Sequence, residues 1–210
     1  MITPTVDGII DLYCRDGARQ YGREAVSQLE HALQCAHLAE RADAAPELIA
    51  ACLLHDIGHM IGYRPGWNPV GRAVEYFATG KSHEYQHTQA EQAALLENST
   101  LNDLHEHRAQ WYLGSVFGPG VLEPIRLHVE AKRYLCHAEP AYWDELSAES
   151  KRSLEVQGGR HSDEQAADFM GSPHARHALQ LRRWDDRAKT PSAPTPDLEH
   201  YKAILKSLAL

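Results

Sequence analysis

Apolar residues recur along this chain at helical spacing, and no stretch alternates in the manner of a half-buried strand. Val26, Leu29, Leu33 and Ala36 make one apolar stripe, while His31, Cys35, Leu38 and Ala42 make a second on the opposite side of the same helix. A helix that is apolar on two faces lies inside a fold, so His31 is expected to point inward. The next helix is predicted to open at Pro46, which suits a first turn, and to end near Gly58, which suits a C-cap. Its body from Leu48 to Leu54 is apolar nearly all round, which predicts a central helix with His55 and Asp56 directly after it. Further helices are predicted from about Thr88 to Glu97 and from about Asn102 to Leu113. Others are predicted from Pro124 through His128 and Leu135, over Asp163–Met170 and over His174–Trp184.

Between residues 62 and 86 the pattern breaks. Pro65, Gly66, Pro69, Gly71 and Gly80 interrupt it, and Tyr63, Trp67, Tyr76, Phe77 and Tyr85 punctuate it. This reads as a long loop, either a lid over a site or an aromatic loop packed on the core. Residues 190–196, rich in proline, read as an extended linker to a short terminal helix beginning at Asp197. The predicted fold class is therefore all-α, a single helical bundle over residues 1–210 with a long loop between the second and third ligand-bearing helices.

Composition narrows the function. The chain's 210 residues fit one domain able to bury a core around a site. A net charge of -8 argues against nucleic acid as a partner. No apolar run is long enough to span a membrane, and the N-terminus lacks a basic start and a cleavage site, so a cytoplasmic location is expected. Cys14, Cys35, Cys52 and Cys136 are scattered without Cys-x-x-Cys spacing, which speaks for reduced thiols and against a zinc ribbon.

The candidate chemistry lies in His31, His55, Asp56, His87, His128 and Asp185, each in or beside a helical segment. A carboxylate and an imidazole buried behind an apolar helix cost on the order of several kcal/mol unless strongly partnered, and a metal ion is the usual partner. An adjacent His-Asp pair with further histidines and a distant aspartate supplies what two ions need: nitrogen donors for each, and a carboxylate to bridge them. All are nitrogen or oxygen donors, a set that suits iron or manganese and does not exclude zinc. His83 rivals His87, one helical turn away. Lys132 stands at i+4 from His128, where an ammonium can neutralise an anion held at the metal.

The pattern resembles the HD-domain superfamily of all-helical metal enzymes. Tyr21-Gly-Arg-Glu24, Gln28-Leu-Glu-His31, Leu53-Leu-His-Asp-Ile-Gly-His59, His128-Val-Glu-Ala-Lys-Arg-Tyr-Leu135, Gln157-Gly-Gly159 and Leu181-Arg-Arg-Trp-Asp-Asp186 are similar to its mixed-valent di-iron phosphonate oxygenases. The resemblance spans roughly Tyr21 to Pro196. It implies two iron ions, Fe(II) and Fe(III), held by the six residues above with Asp56 bridging, and it favours His87 over His83. It implies further that Lys132, Ser150 and Arg182 hold a phosphonate with His59 nearby. Tyr21 would occupy an iron until substrate arrives, and Glu24 would contact the substrate's amine and steer Tyr21. The implied reaction is O2-dependent cleavage of the carbon–phosphorus bond of a 1-hydroxy-2-(amino or N-methylated amino)ethylphosphonate. Its products would be phosphate and glycine or an N-methylated glycine, and a phosphonate hydroxylase would be its functional partner. The alternative is an HD-type phosphohydrolase, using manganese or zinc on a nucleotide or phosphate monoester. An inositol-cleaving di-iron oxygenase and a non-catalytic metal-binding module fit less well: the first needs a polyol pocket, and the second has no use for Tyr21 and Glu24.

Overall fold

The computed structural model describes residues 4–61 and 102–210. The loop expected over 62–86, the helix expected near 88–97, and His83 and His87 fall outside the described residues. Within them there are ten α-helices and no strand. Residues 6–16 form α1, followed by α2 (Gln28–Arg41) and α3 (Pro46–Leu54) with a 3-10 turn at Ile57–His59. Beyond residue 102 come α4 (His105–Leu113), α5 (Pro119–Ala138), α6 (Tyr142–Glu145) and α7 (Ala148–Val156). The chain closes with α8 (Asp163–Met170), α9 (Ala175–Arg187) and α10 (Leu198–Leu208). Among the described residues no helix is long and apolar enough to cross a membrane.

Helix α3 is the axis of the bundle. Every residue from Leu48 to Leu54 is buried, and α2, α5, α9 and α10 pack around it. One continuous apolar core joins α1 to α5, α9 and α10, and the Tyr13 hydroxyl donates 2.5 Å from α1 to the Leu53 carbonyl of α3. A smaller cluster ties α8 to α5 and α9 through Leu127, Ala131 and Phe169, and another seats α6 and α7 against the end of α5 through Leu135 and Cys136. Helix α10 returns to the core through Tyr201 and Leu205, so the non-helical residues 190–196 lead to a packed helix.

Two expected boundaries are corrected. Helix α3 stops at Leu54, and Gly58 is no C-cap: a Cβ there would lie 2.1 Å from the His105 carbonyl oxygen. Glycine is needed at that position so that the start of α4 can lie against the His55-Asp56 turn. Helix α5 opens at Pro119 behind Gly118, and Pro124 sits inside it. A proline this close to the N-terminus forfeits one helical hydrogen bond, which its buried ring offsets by packing. Helices α1, α6 and α7 are additions to the expected set: α1 is amphipathic, burying Val6, Ile9, Ile10 and Tyr13, and α6 and α7 are short segments that tertiary packing stabilises.

Candidate functional site

Five helical segments bring six ligand-type side chains to a common point, two of them from the end of α3. Serine 27 and Glu30 form a capping box that starts α2, and one turn later His31 points into the bundle, fully buried. His55 and Asp56 leave the end of α3, His128 projects from the middle of α5, and Asp185 from the last turns of α9. All four are buried. The fifth segment is α4, whose first residue, His105, stands 3.3 Å from Asp56 Oδ1 and 3.0 Å from His128 Nε2 through its own Nε2.

The donors divide into two groups around Asp56. On one side, His31 Nε2 and His55 Nε2 are 3.2 Å apart. They lie 3.5 and 3.3 Å from Asp56 Oδ2, and Asp185 Oδ1 is 3.4 Å from His31. On the other side, His105 and His128 approach Asp56 Oδ1 at 3.3 and 3.5 Å. His59 Nε2 is 3.9 Å from the same oxygen. Each oxygen of Asp56 thus faces its own cluster, the arrangement of a bridging carboxylate.

Whether these residues fit metal ions can be judged from their protons. His31 Nδ1 lies 2.9 Å from the Ala188 carbonyl, His55 Nδ1 2.8 Å from that of Cys52, and His128 Nδ1 2.6 Å from that of Ile125. A carbonyl oxygen only accepts, so in each ring Nδ1 carries the hydrogen, and in a neutral ring Nε2 is a bare lone pair. His105 does the same toward Asp103 Oδ1 at 2.8 Å. Bare lone pairs about 3 Å apart repel unless a cation joins them. Atoms bound at about 2.1 Å to one ion sit about 3.0–3.4 Å from each other, the spacing found here. Asp56 Oδ2 and Asp185 Oδ1 are buried without a hydrogen-bond partner, although both aim into the same cluster. The residues fit a pair of ions.

Electrostatics agree with the geometry. Burial opposes the charge of Asp56, but His55, His128 and His31 outweigh it and hold the carboxyl well below the usual range. Burial likewise opposes a charge on His55, yet the Asp56 and Asp185 carboxylates lift it to about 10: the spot attracts a cation. Burial and the neighbouring His59 push His105 down to about 4, keeping that ring neutral and ready as a donor.

Outer contacts fix the ligands. Asp103 accepts from His105 Nδ1 and pairs with His59 Nδ1 at 2.9 Å, and the two rings stack at 4.1 Å. The residue between them in sequence, Leu104, holds a left-handed backbone with φ 52°, a local strain of order 1 kcal/mol at a bulky residue. Arg182 grips Asp185 Oδ2 at 2.7 Å and also bonds Asp186 and the Tyr142 hydroxyl. Burial works against its charge, but Asp185 and Asp186 keep the guanidinium charged.

A cavity of about 480 Å3 opens beside the clusters. Lys132, Ser150, Arg182 and Lys189 line it together with Tyr21 and Glu24. Lys132 Nζ donates to Ser153 Oγ at 2.7 Å, and its burial, with Arg182 close by, lowers its pKa to about 7. Ser150 Oγ lies 3.4 Å from Arg182 and 3.0 Å from Lys189 Nζ. The Tyr21 ring stacks on His31 at 3.9 Å and 10°, and burial, then Asp56 and Asp185, raise its pKa well above 10. Gly22 follows with φ +53°, in a loop closed by Tyr21 N to Val26 O and Glu24 N to Tyr21 O, both 2.9 Å.

Of the residues expected from the sequence, the structure therefore brings His31, His55, Asp56, His128 and Asp185 together, with His59, Lys132, Ser150, Arg182, Tyr21 and Glu24 around the adjoining cavity. His87 lies outside the described residues. Sequence reasoning missed His105, Asp103, Ser153 and Lys189. A usable signal for His105 existed: Asp103-Leu-His105 places a side-chain acceptor and a histidine at a helix start, and Gly58 invites a close backbone neighbour.

The HD domain family profile matches residues 29–110. Among characterised relatives, the chain is similar to a hydroxymethylphosphonate dioxygenase from Gimesia maris, 39% identical over 92% of this chain and 83% of the relative. It is also similar to a [1-hydroxy-2-(trimethylamino)ethyl]phosphonate dioxygenase (glycine-betaine-forming) from Leisingera caerulea, 30% identical over 99% of this chain and 90% of that one.

Proposed function

The chain belongs to the HD-domain phosphonate dioxygenases, O2-dependent enzymes, and from that premise we propose that it splits the carbon–phosphorus bond of a small 1-hydroxyalkylphosphonate at a di-iron centre. The observation that carries this reading is the junction of two donor clusters, bridged by Asp56, with a cavity carrying buried Lys132 and Arg182. The aminated and N-methylated ethylphosphonates expected from the sequence share with hydroxymethylphosphonate one HO–C–PO3 core. That core is the part these residues address.

In this reading His31, His55, Asp56 and Asp185 hold one iron, and Asp56, His105 and His128 hold the other. His105 takes the place given to His87 in the sequence reading. When bound, the two irons supply Lewis-acid chelation of the substrate and reduction of O2. The chain's own residues bind and orient. Lys132, Ser150 and Arg182 meet the phosphonate oxygens, with His59 at the rim. Arg182 also holds Asp185 Oδ2, leaving Oδ1 beside His31, where it would be free to bind an ion. Tyr21, stacked on His31, shields the centre until substrate enters, and Glu24 anchors the loop that carries it through a 2.6 Å bond from Ser147 Oγ.

The reaction balances without an outside reductant. For the simplest substrate, hydroxymethylphosphonate and O2 give formate and phosphate, and the four electrons O2 needs come from the carbon and its bond to phosphorus. A preceding hydroxylation must supply the 1-hydroxyl, so a phosphonate hydroxylase is the expected functional partner. The four free cysteines fit the reducing cytoplasm, and the whole chain acts as one catalytic unit. The phosphohydrolase alternative loses its support, since the named relatives are dioxygenases.

The test is phosphate release from 1-hydroxyalkylphosphonates by iron-loaded protein, with and without oxygen. Release that requires oxygen supports the proposal. Oxygen-independent release from phosphate monoesters alone would refute it.

A further inference from the structure

The carboxylates around the cavity are already engaged. Glu24 Oε1 pairs with Lys189 Nζ at 3.4 Å and accepts from Ser147 Oγ at 2.6 Å. Glu149 is bound by Arg152, and Asp103 is divided between His59 and His105. Asp56 and Asp185 belong to the metal clusters. Among the described residues lining the cavity, none offers a spare carboxylate to a substrate ammonium group.

Lys189 is what occupies Glu24. Its ammonium spans from Glu24 to Ser150 Oγ, 3.0 Å away, and Ser150 in turn lies 3.4 Å from Arg182. It also lies 5.9 Å from the centre of the Tyr21 ring. The lysine follows α9 by two residues, one turn past Asp185, and its side chain is 12% exposed. A phosphonate seated between Lys132, Ser150 and Arg182 would therefore place the substituent on its carbon close to a fixed positive charge. A second ammonium there repels at short range in a partly dehydrated cavity, where screening is weak. Tyr21 is the one tyrosine, phenylalanine or tryptophan among the described lining residues, and one of its faces is covered by His31, so no aromatic cage for a methylated cation is formed by them.

We propose that Lys189 is a specificity-determining residue, holding Glu24 in an internal ion pair so that the enzyme selects 1-hydroxyphosphonates without a cationic group, hydroxymethylphosphonate in the first instance. The inference rests on the function proposed above and gives it a substrate class. In outline, the chain fills with its own ammonium the position an aminated substrate would need.

The experiment compares kcat/KM for hydroxymethylphosphonate and 2-amino-1-hydroxyethylphosphonate in the iron-loaded wild type, Lys189→Met, Lys189→Arg and the double variant Glu24→Gln, Lys189→Met. The wild type is expected to favour hydroxymethylphosphonate at least tenfold. Lys189→Met should shift that ratio at least tenfold toward the aminated substrate, mainly through its KM, because Glu24 is released. Lys189→Arg should keep the wild-type preference, and the double variant should lose the gain. A wild type that prefers the aminated substrate, or a ratio unmoved by Lys189→Met, would overturn the inference while leaving the oxygenase assignment intact. Inactivity of the wild type toward every phosphonate would overturn that assignment and this inference with it.

Discussion

Replacing Asp103 with Asn perturbs the second metal position without touching an atom that would bind an ion. Asp103 accepts from His105 Nδ1 at 2.8 Å and from His59 Nδ1 at 2.9 Å, one oxygen to each ring. An asparagine keeps one acceptor and turns an NH2 group toward the other ring. Donor then meets donor, and that ring must rotate or move its proton to Nε2, which removes the lone pair aimed at Asp56. Loss of such an outer partner costs about 10–100-fold in metal affinity, or about 1.4–2.7 kcal/mol. Anaerobic titration with Fe(II) should show the weaker step shifted by that factor. The step assigned to His31, His55 and Asp185 should stay within about threefold, because Asp103 bonds the rings of the other cluster and the two clusters meet only at Asp56. The Asp103 carboxylate also accepts from the His105 backbone N–H at 3.3 Å, so the metal-free protein should melt about 2–4 °C lower for each 1 kcal/mol lost. Equal weakening of both steps, or no weakening of either, would refute the division into two clusters about Asp56.

Other expectations follow the same geometry. His105→Ala should halve the iron bound per chain and abolish turnover, whereas His87→Ala and His83→Ala should keep both irons; metal analysis of the purified variants decides between them. Gly58→Ala forces a Cβ to within 2.1 Å of the His105 carbonyl, so the start of α4 must move. Roughly 1–3 kcal/mol of stability and the second iron should be lost together, seen by thermal unfolding alongside metal content. Lys132 is lowered to about 7 by burial and then by Arg182, so it is a cation below that pH and neutral above it. kcat/KM should therefore fall about tenfold per pH unit above about 7, and Lys132→Arg, charged throughout, should remove that alkaline limb.

Much of the site was legible because the sequence shows a polar pair where burial is unavoidable. The run from Leu48 to Leu54 leaves no solvent face, so His55 and Asp56 had to be buried and had to have a partner. His31 was equally readable, sitting at helical spacing from apolar neighbours, while Asp185, just past the helix expected over His174–Trp184, was singled out by the resemblance of Leu181-Arg-Arg-Trp-Asp-Asp186. His105 was harder. It is the first residue of its helix, where periodicity carries no information, and its placement depends on Gly58 accepting a backbone contact across 47 positions of chain. Lys189 was invisible for a related reason: it lies past the end of α9, and its role comes from Glu24 and Ser150, which are remote in sequence. The fold shows the same division. Longer, patterned helices such as α2 and α9 could be read directly, while α6 and α7 owe their helicity to packing against α5.

The most direct test of the central claim is the fate of oxygen. Iron-loaded protein is given hydroxymethylphosphonate under 18O2, and O2 uptake, phosphate and formate are measured together. The account predicts one O2 consumed per phosphate released, with 18O recovered in the products. Phosphate released without O2 uptake, carrying oxygen from water alone, would contradict it.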